Sequence, residues 1–185
     1  GAWCAPDLDR ADALIEDAGA MGERVTVWVV DDPQTPQGVV ETSGYIVKVL
    51  NELGLRADLK IVDTFEEWSE AVSTGEAQAH VGGWISNYPT ASDFLNPKVL
   101  CSSWGNYSGF CSESLNAMFE DALRLQATDP AAANSAWTEL DHQLVEEAIV
   151  APVDNPVSVF AVSARVGNVQ VHPRWGILLS HLWVQ

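Results

Sequence analysis

At 185 residues the chain is long enough to bury a sizeable core, and it fits one domain or one domain with an appendage. Apolar residues make up 47% and charged residues 19%, which excludes a disordered segment, and no apolar run approaches the length of a membrane-crossing helix. The 26 acidic against 9 basic residues leave a formal charge of −17, which excludes nucleic-acid backbones and disfavours anionic lipid surfaces as partners. No stretch reads as a signal peptide, and the opening Gly1-Ala2-Trp3-Cys4 reads as a cut within a longer protein.

Taken in order, Pro6 to Ala18 predicts a helix with Leu8, Ala11, Leu14, Ile15 and Ala18 on one stripe and Gly19 as its stop. Val25 to Val30 is β-branched and apolar on both faces, as a buried parallel strand requires. A second helix follows from about Pro36 to Leu53, closed by Gly54, and a second strand from Ala57 to Val62. Thr64-Phe-Glu-Glu67 is a capping box, starting a short helix that turns Phe65, Trp68 and Val72 inward. Ala79 to Trp84 predicts a third strand, running into the loop Gly82 to Pro97. The αβαβαβ order predicts an α/β fold with a mostly parallel sheet flanked by helices.

Beyond residue 111, Ser112 caps a helix carrying Leu115, Met118, Phe119, Ala122 and Leu123. Asp129-Pro130 starts another, with Ala133, Trp137, Leu140, Leu144 and Val145 on one face, and the two predict an antiparallel pair over the sheet. Val150 to Val153 and Val157 to Val162 read as short strands parted by Asp154-Asn155-Pro156. Arg165 to Gln185 is extended and rich in Trp, His and Val, a tail suited to covering another surface.

The chemistry is that of binding. His80, His142, His172 and His181 stand in no metal-ligand spacing, and the chain holds no HExxH, paired CxxC, phosphate loop or nucleophile elbow. No catalytic residue, metal site or cofactor is therefore assigned, and no enzyme activity is expected. Asn106-Tyr-Ser108 matches a glycosylation sequon, a pattern short enough to arise by chance. Cys101 and Cys111 bracket a polar, glycine-containing loop that suits a small disulfide ring worth about 3 kcal/mol; a metal there would lack a nearby histidine. Such a ring implies an oxidising, extracytoplasmic setting, while Cys4 is either free or paired outside this segment. In the loop from Trp84 to Phe94, the indole offers a flat apolar wall, and Ser86, Asn87 and Tyr88 offer neutral donors and acceptors. That is the make-up of a small-molecule pocket, although a core tryptophan explains Trp84 equally well.

These residues carry a resemblance. Leu8 to Gly19, with its closing alanine-glycine pair, resembles a helix of the bacterial extracellular solute-binding proteins of family 5, the oligopeptide-, dipeptide- and nickel-binding receptors of ABC importers. Leu53-Gly54-Leu55, Gly83-Trp84-Ile85-Ser86-Asn87-Tyr88-Pro89, Phe94-Leu95-Asn96, Asp129-Pro130, Ala151-Pro152-Val153 and Val166-Gly167-Asn168 are similar to family segments in consistent order. The resemblance implies a periplasmic-binding-protein-like lobe of type II. Residues 1–165 would form the C-terminal α/β lobe, and residues 166–185 a tail returning to an N-terminal lobe of the same parent chain. It implies an extracytoplasmic receptor that captures a peptide-like or neutral solute through Trp84, Ser86, Asn87 and Tyr88 for import through an ABC permease. A ligand-sensing or interaction module within a regulatory fusion is the alternative. The disulfide suits a secreted receptor; nickel ligation does not suit a loop without histidine. One position departs from the pattern: Asn87 stands where peptide-binding members carry an aspartate that pairs with the peptide ammonium. Asparagine keeps the acceptor oxygen and loses the charge-assisted bond, which favours a neutral ligand.

Overall fold

The computed structural model describes residues 7–33, 35, 38–153, 157–172 and 174–185. They divide into two units, the first ending at Gly83 and the second beginning at Trp84.

The first unit is built on three parallel strands: β1 (Arg24–Val30), β2 (Arg56–Val62) and β3 (Ala79–His80), in the order β2-β1-β3. Val27 stands opposite Leu59 on one side and Ala79 on the other. The central position of β1 explains its unbroken apolar run, with Val27, Trp28 and Val29 all buried. The helix α1 (Leu8–Asp17) precedes β1, and α2 (Val39–Glu52) and α3 (Phe65–Ser73) run between the strands. Thr64 caps α3 as expected, its hydroxyl accepting from the Glu67 N–H at 3.2 Å, and Trp68, Ala71 and Val72 are buried. Asn51, in the last turn of α2, exchanges two 2.9 Å hydrogen bonds with the backbone of Ala57, tying that helix to the second residue of β2.

Two expectations change here, while the predicted α1 helix forms, started by Asp7, whose carboxylate accepts from the Arg10 N–H, with no residue of it fully buried. Its period makes the helix amphipathic without guaranteeing that this unit covers the face. Phe65, at the first position of α3, is 52% exposed rather than turned inward. The third strand stops at His80 instead of Trp84, with one more ladder bond from the Val81 N–H to the Trp28 carbonyl at 3.0 Å. Gly82 and Gly83 have no side chain to pack and end it. Pro6, Pro36 and Gln37 lie outside the described residues.

The second unit is led by three helices, α4 (Ala91–Val99), α5 (Glu113–Thr128) and α6 (Pro130–Glu146). Leu95 and Val99 of α4, Leu115, Phe119 and Ala122 of α5, and Ala133, Trp137, Leu140 and Leu144 of α6 form one cluster. The Phe119 and Trp137 rings meet edge to face at 5.2 Å. Asp129 joins the two long helices. Its own N–H donates to the Leu125 carbonyl at the end of α5, and its carboxylate accepts from the Ala132 N–H to start α6.

The helix α4 falls where a loop was expected. Pro97 sits in its last turn, and the side chain of Ser103 bonds Asn96 at 3.0 Å. The two predicted strands at Val150–Val153 and Val157–Val162 are not found among the described residues. Their β-branched residues supply strand propensity, but a strand needs a partner; Val157 and Val159 are 85% and 88% exposed. The intervening Asp154-Asn155-Pro156 lies outside the described residues. The last twenty residues are more ordered than expected. Antiparallel pairs join β4 (Val166–Gly167) to β7 (Trp183–Val184) and β5 (Val171–His172) to β6 (Gly176–Ile177). A Cβ on Gly167 would lie 2.2 Å from the Trp183 ring, so a side chain there would force that ring to shift. Among the described residues no helix is long and apolar enough to cross a membrane.

Candidate functional site

In the second unit the loop from Trp84 to Thr90 folds around one carboxylate. Asp93 lies in the first turn of α4, where the free N–H groups of the helix end favour an anion, and it is only 6% exposed. Its Oδ2 accepts from the Asn87 backbone N–H at 2.5 Å and from the Trp84 indole N–H at 3.4 Å. Its Oδ1 accepts from the Asn87 side-chain amide at 3.2 Å. Arg174, from far along the chain, donates from Nη1 to the carbonyls of Ser86 at 2.8 Å and Ile85 at 3.1 Å. Burial pushes the Asp93 carboxyl up. The bonds from the Asn87 backbone, the Asn87 side chain and the Trp84 indole, with the nearby Arg174 charge, outweigh it and hold the group below its ordinary value. The hydrogen bonds of the loop therefore favour the ionised form of Asp93.

Of the four residues singled out from sequence, Trp84, Ser86 and Asn87 gather around this carboxylate and its arginine. The Trp84 ring is half-buried, 5.7 Å from that of Trp104. Gly105 packs beneath both Trp84 and Pro97: a Cβ there would meet the Pro97 Cβ at 2.6 Å. Ser86 is half-buried, and Asn87 and Tyr88 are exposed. Trp84 is thus neither a bare ligand wall nor a plain core residue. It packs on one ring and is held by a buried acid.

Asp93 and Arg174 are the residues that sequence reading missed. The first lay in a stretch taken as loop, where a helix start would have marked an acid as useful. The second is separated from Ser86 by 88 positions, and no local signal connects them. Arg174 also lies with its guanidinium 5.0 Å over the Trp175 ring, and it lines a recess of about 390 Å³ with Phe160 and His172.

Cys101 and Cys111 are joined in a disulfide, with Cα atoms 4.7 Å apart. Asn106 crosses the ring, its amide donating to the Phe110 carbonyl at 2.7 Å and the Leu100 carbonyl at 3.2 Å, so the nitrogen of the sequon serves the loop itself. Asn116 of α5 reaches Cys101 through both its oxygen and its amide. The ring is thereby tied to the helix that follows it. Among the described residues no group of three His, Cys, Asp or Glu side chains is placed to hold a metal ion. Cys4 lies outside them.

No family profile matches the chain. Over 156 residues it is 22% identical to Di/tripeptide-binding protein 4 of Pseudomonas aeruginosa, covering 81% of this chain and 28% of that protein. Its fold superimposes on Haemophilus influenzae OppA complexed with the peptide RPPGFSPFR, with a TM-score of 0.77 and 17% identity, over 98% of this chain and 36% of the other. The dipeptide-binding protein of Pseudoalteromonas sp. SM9913, complexed with Met-Leu, gives 0.76 and 16% identity, over 97% and 36%. The chain has a periplasmic-binding-protein fold. It spans about a third of the length of these solute-binding proteins. The likeness to family 5 receptors read from the sequence is met again in both kinds of comparison, and the α/β class with it.

Proposed function

We propose that this chain is a ligand-binding lobe of an extracytoplasmic solute-binding protein that captures a peptide-like or neutral solute for ABC-type import. The observation that carries the reading is the loop itself. Trp84 and Asn87 are held on a buried acid at the start of α4 and the Ser86 carbonyl on Arg174, within a fold that matches peptide-binding proteins over nearly the whole of this chain. An apolar ring beside a few fixed polar groups is how small-molecule sites are made. The proteins that the chain resembles are named for the peptides they bind, which supports recognition rather than turnover as its role.

On this reading residues 1–165 are the C-terminal lobe and residues 166–185 lead toward the N-terminal lobe of the same parent chain, which supplies the other wall of the pocket. The exposed apolar side chains of the second unit, Val157, Val159, Leu179 and Val184, suit contact with further protein. The Cys101–Cys111 disulfide fits an oxidising compartment outside the cytoplasm. An ABC permease is the partner that such a receptor would serve.

The test is calorimetry on the parent receptor with a panel of di- and tripeptides and neutral solutes. Trp84→Ala is expected to weaken binding by more than about tenfold while the protein stays folded. A loss of melting temperature with unchanged affinity would make Trp84 a packing residue and remove the loop from the site.

A further inference from the structure

We infer that Asp93 and Arg174 set the polarity of the Trp84–Tyr88 loop, turning the Asn87 amide oxygen outward and leaving no free carboxylate, so that the ligand group read here is a neutral N–H or O–H donor rather than an ammonium. The inference rests on the reading of this loop as a ligand site and names what that site accepts.

The orientation of Asn87 follows from chemistry. An ionised carboxylate has only acceptors, so an asparagine side chain facing it at 3.2 Å must present its NH₂. The Asn87 Oδ1 is then turned away from Asp93. The backbone N–H of the same residue is bound to the same carboxylate, which fixes the loop backbone beside Asp93 and keeps the side chain within reach of it. Asp93 is thus a positioning residue. It does not meet the ligand, because at 6% exposure its oxygens are covered by the indole and the amide that they hold.

The charge account is equally specific. A carboxylate near a pocket would ordinarily attract an ammonium group, and Asp93 stands six residues from Asn87. Its oxygens already take three N–H donors, and the Arg174 charge acts on it as well. Arg174 also occupies the Ile85 and Ser86 carbonyls, two acceptors that a charged amine would otherwise use. What the loop still offers is the Asn87 oxygen, the Ser86 hydroxyl and the exposed Tyr88 side chain. An amide N–H or a sugar hydroxyl matches one outward acceptor; an ammonium needs several, or a charge.

The experiment has two arms. In the parent receptor, calorimetry compares Met-Leu with N-acetyl-Met-Leu, which replaces the ammonium by a neutral amide. The acetylated peptide is expected to bind at least as tightly as the free one, and Asn87→Asp to shift the preference toward the free peptide by about tenfold. A wild-type preference of tenfold or more for the free peptide would overturn the inference. If neither peptide binds either protein, the peptide-receptor reading fails, and the second arm decides the polarity of the loop by itself. In this chain, amide-resolved NMR follows hydrogen exchange of the Asn87 side-chain NH₂. It is expected to exchange about tenfold more slowly than a free asparagine amide and to lose that protection in Asp93→Asn. Free-amide exchange in the wild-type chain sinks the proposal whether or not the variant folds.

Discussion

Asp93 shows how one buried side chain can organise a loop. Removing a carboxylate from water is unfavourable unless hydrogen bonds replace the lost hydration, and here Asn87, Trp84 and the start of α4 provide them. Because the folded carboxyl titrates below its ordinary value, its contribution is complete above the unfolded value of about 3.9 and is lost as pH falls through the lower folded value. Wild type should therefore exceed Asp93→Asn in urea midpoint at neutral pH, with the gap closing in acid below about pH 4. A gap that stays constant from about pH 6 to pH 2 would show that the charge contributes nothing. Trp84 belongs to the same residue-scale account. Trp84→Phe keeps the ring packing against Trp104 and removes the N–H to Asp93, so its effect should be much smaller than that of the alanine variant in melting temperature.

At the scale of elements, the helices begin where hydrogen-bonding side chains sit: Asp7, Thr64, Ser112 and Asp129 each accept from an N–H in the first turn. Asp129→Ala should cost about 1 kcal/mol in urea unfolding, since it removes the cap of α6 while leaving the backbone bond that closes α5. The seam between these two helices depends more on packing. Leu140 is fully buried in the cluster of α4, α5 and α6, so Leu140→Ala should cost about 2–5 kcal/mol, read by the same method. A change under about 1 kcal/mol would mean that the helices close over the space left behind. The disulfide ring joins α4 to α5 on the chain between them. Replacing both Cys101 and Cys111 by serine should lower stability by about 3 kcal/mol, because a short ring restrains the unfolded chain.

At the scale of the molecule, the chain carries two units and spans about a third of the solute-binding proteins whose fold it shares. On the proposed reading the pocket is built by two lobes, and one lobe alone lacks half of its contacts. The isolated 185-residue chain is therefore expected to bind Met-Leu or its acetylated form no tighter than about 10 µM by calorimetry. Submicromolar binding by this chain alone would mean that the site is complete within it. The strong acidity of the chain acts at this scale as well, disfavouring contact with phosphate backbones while saying nothing of the ligand.

Local patterns were enough for the parallel sheet, the two long helices, the helix caps and the pairing of Cys101 with Cys111, because each depends on residues close in sequence or on the period of apolar positions. They also singled out Trp84, Ser86, Asn87 and Tyr88 as a group. Other features followed from long-range contact. Whether Val157 to Val162 finds a strand partner, whether the stripe on α1 is covered, and where Arg174 folds back are set by surfaces that meet only in three dimensions. The helix α4 fell between the two, since Pro97 argues against it locally while Leu95 and Val99 stabilise it by burial. Asn87 makes the division plain. Its identity, a neutral amide in place of a charge, is written in the sequence. Its orientation depends on Asp93 becoming buried beneath the loop, a geometry that only the fold supplies.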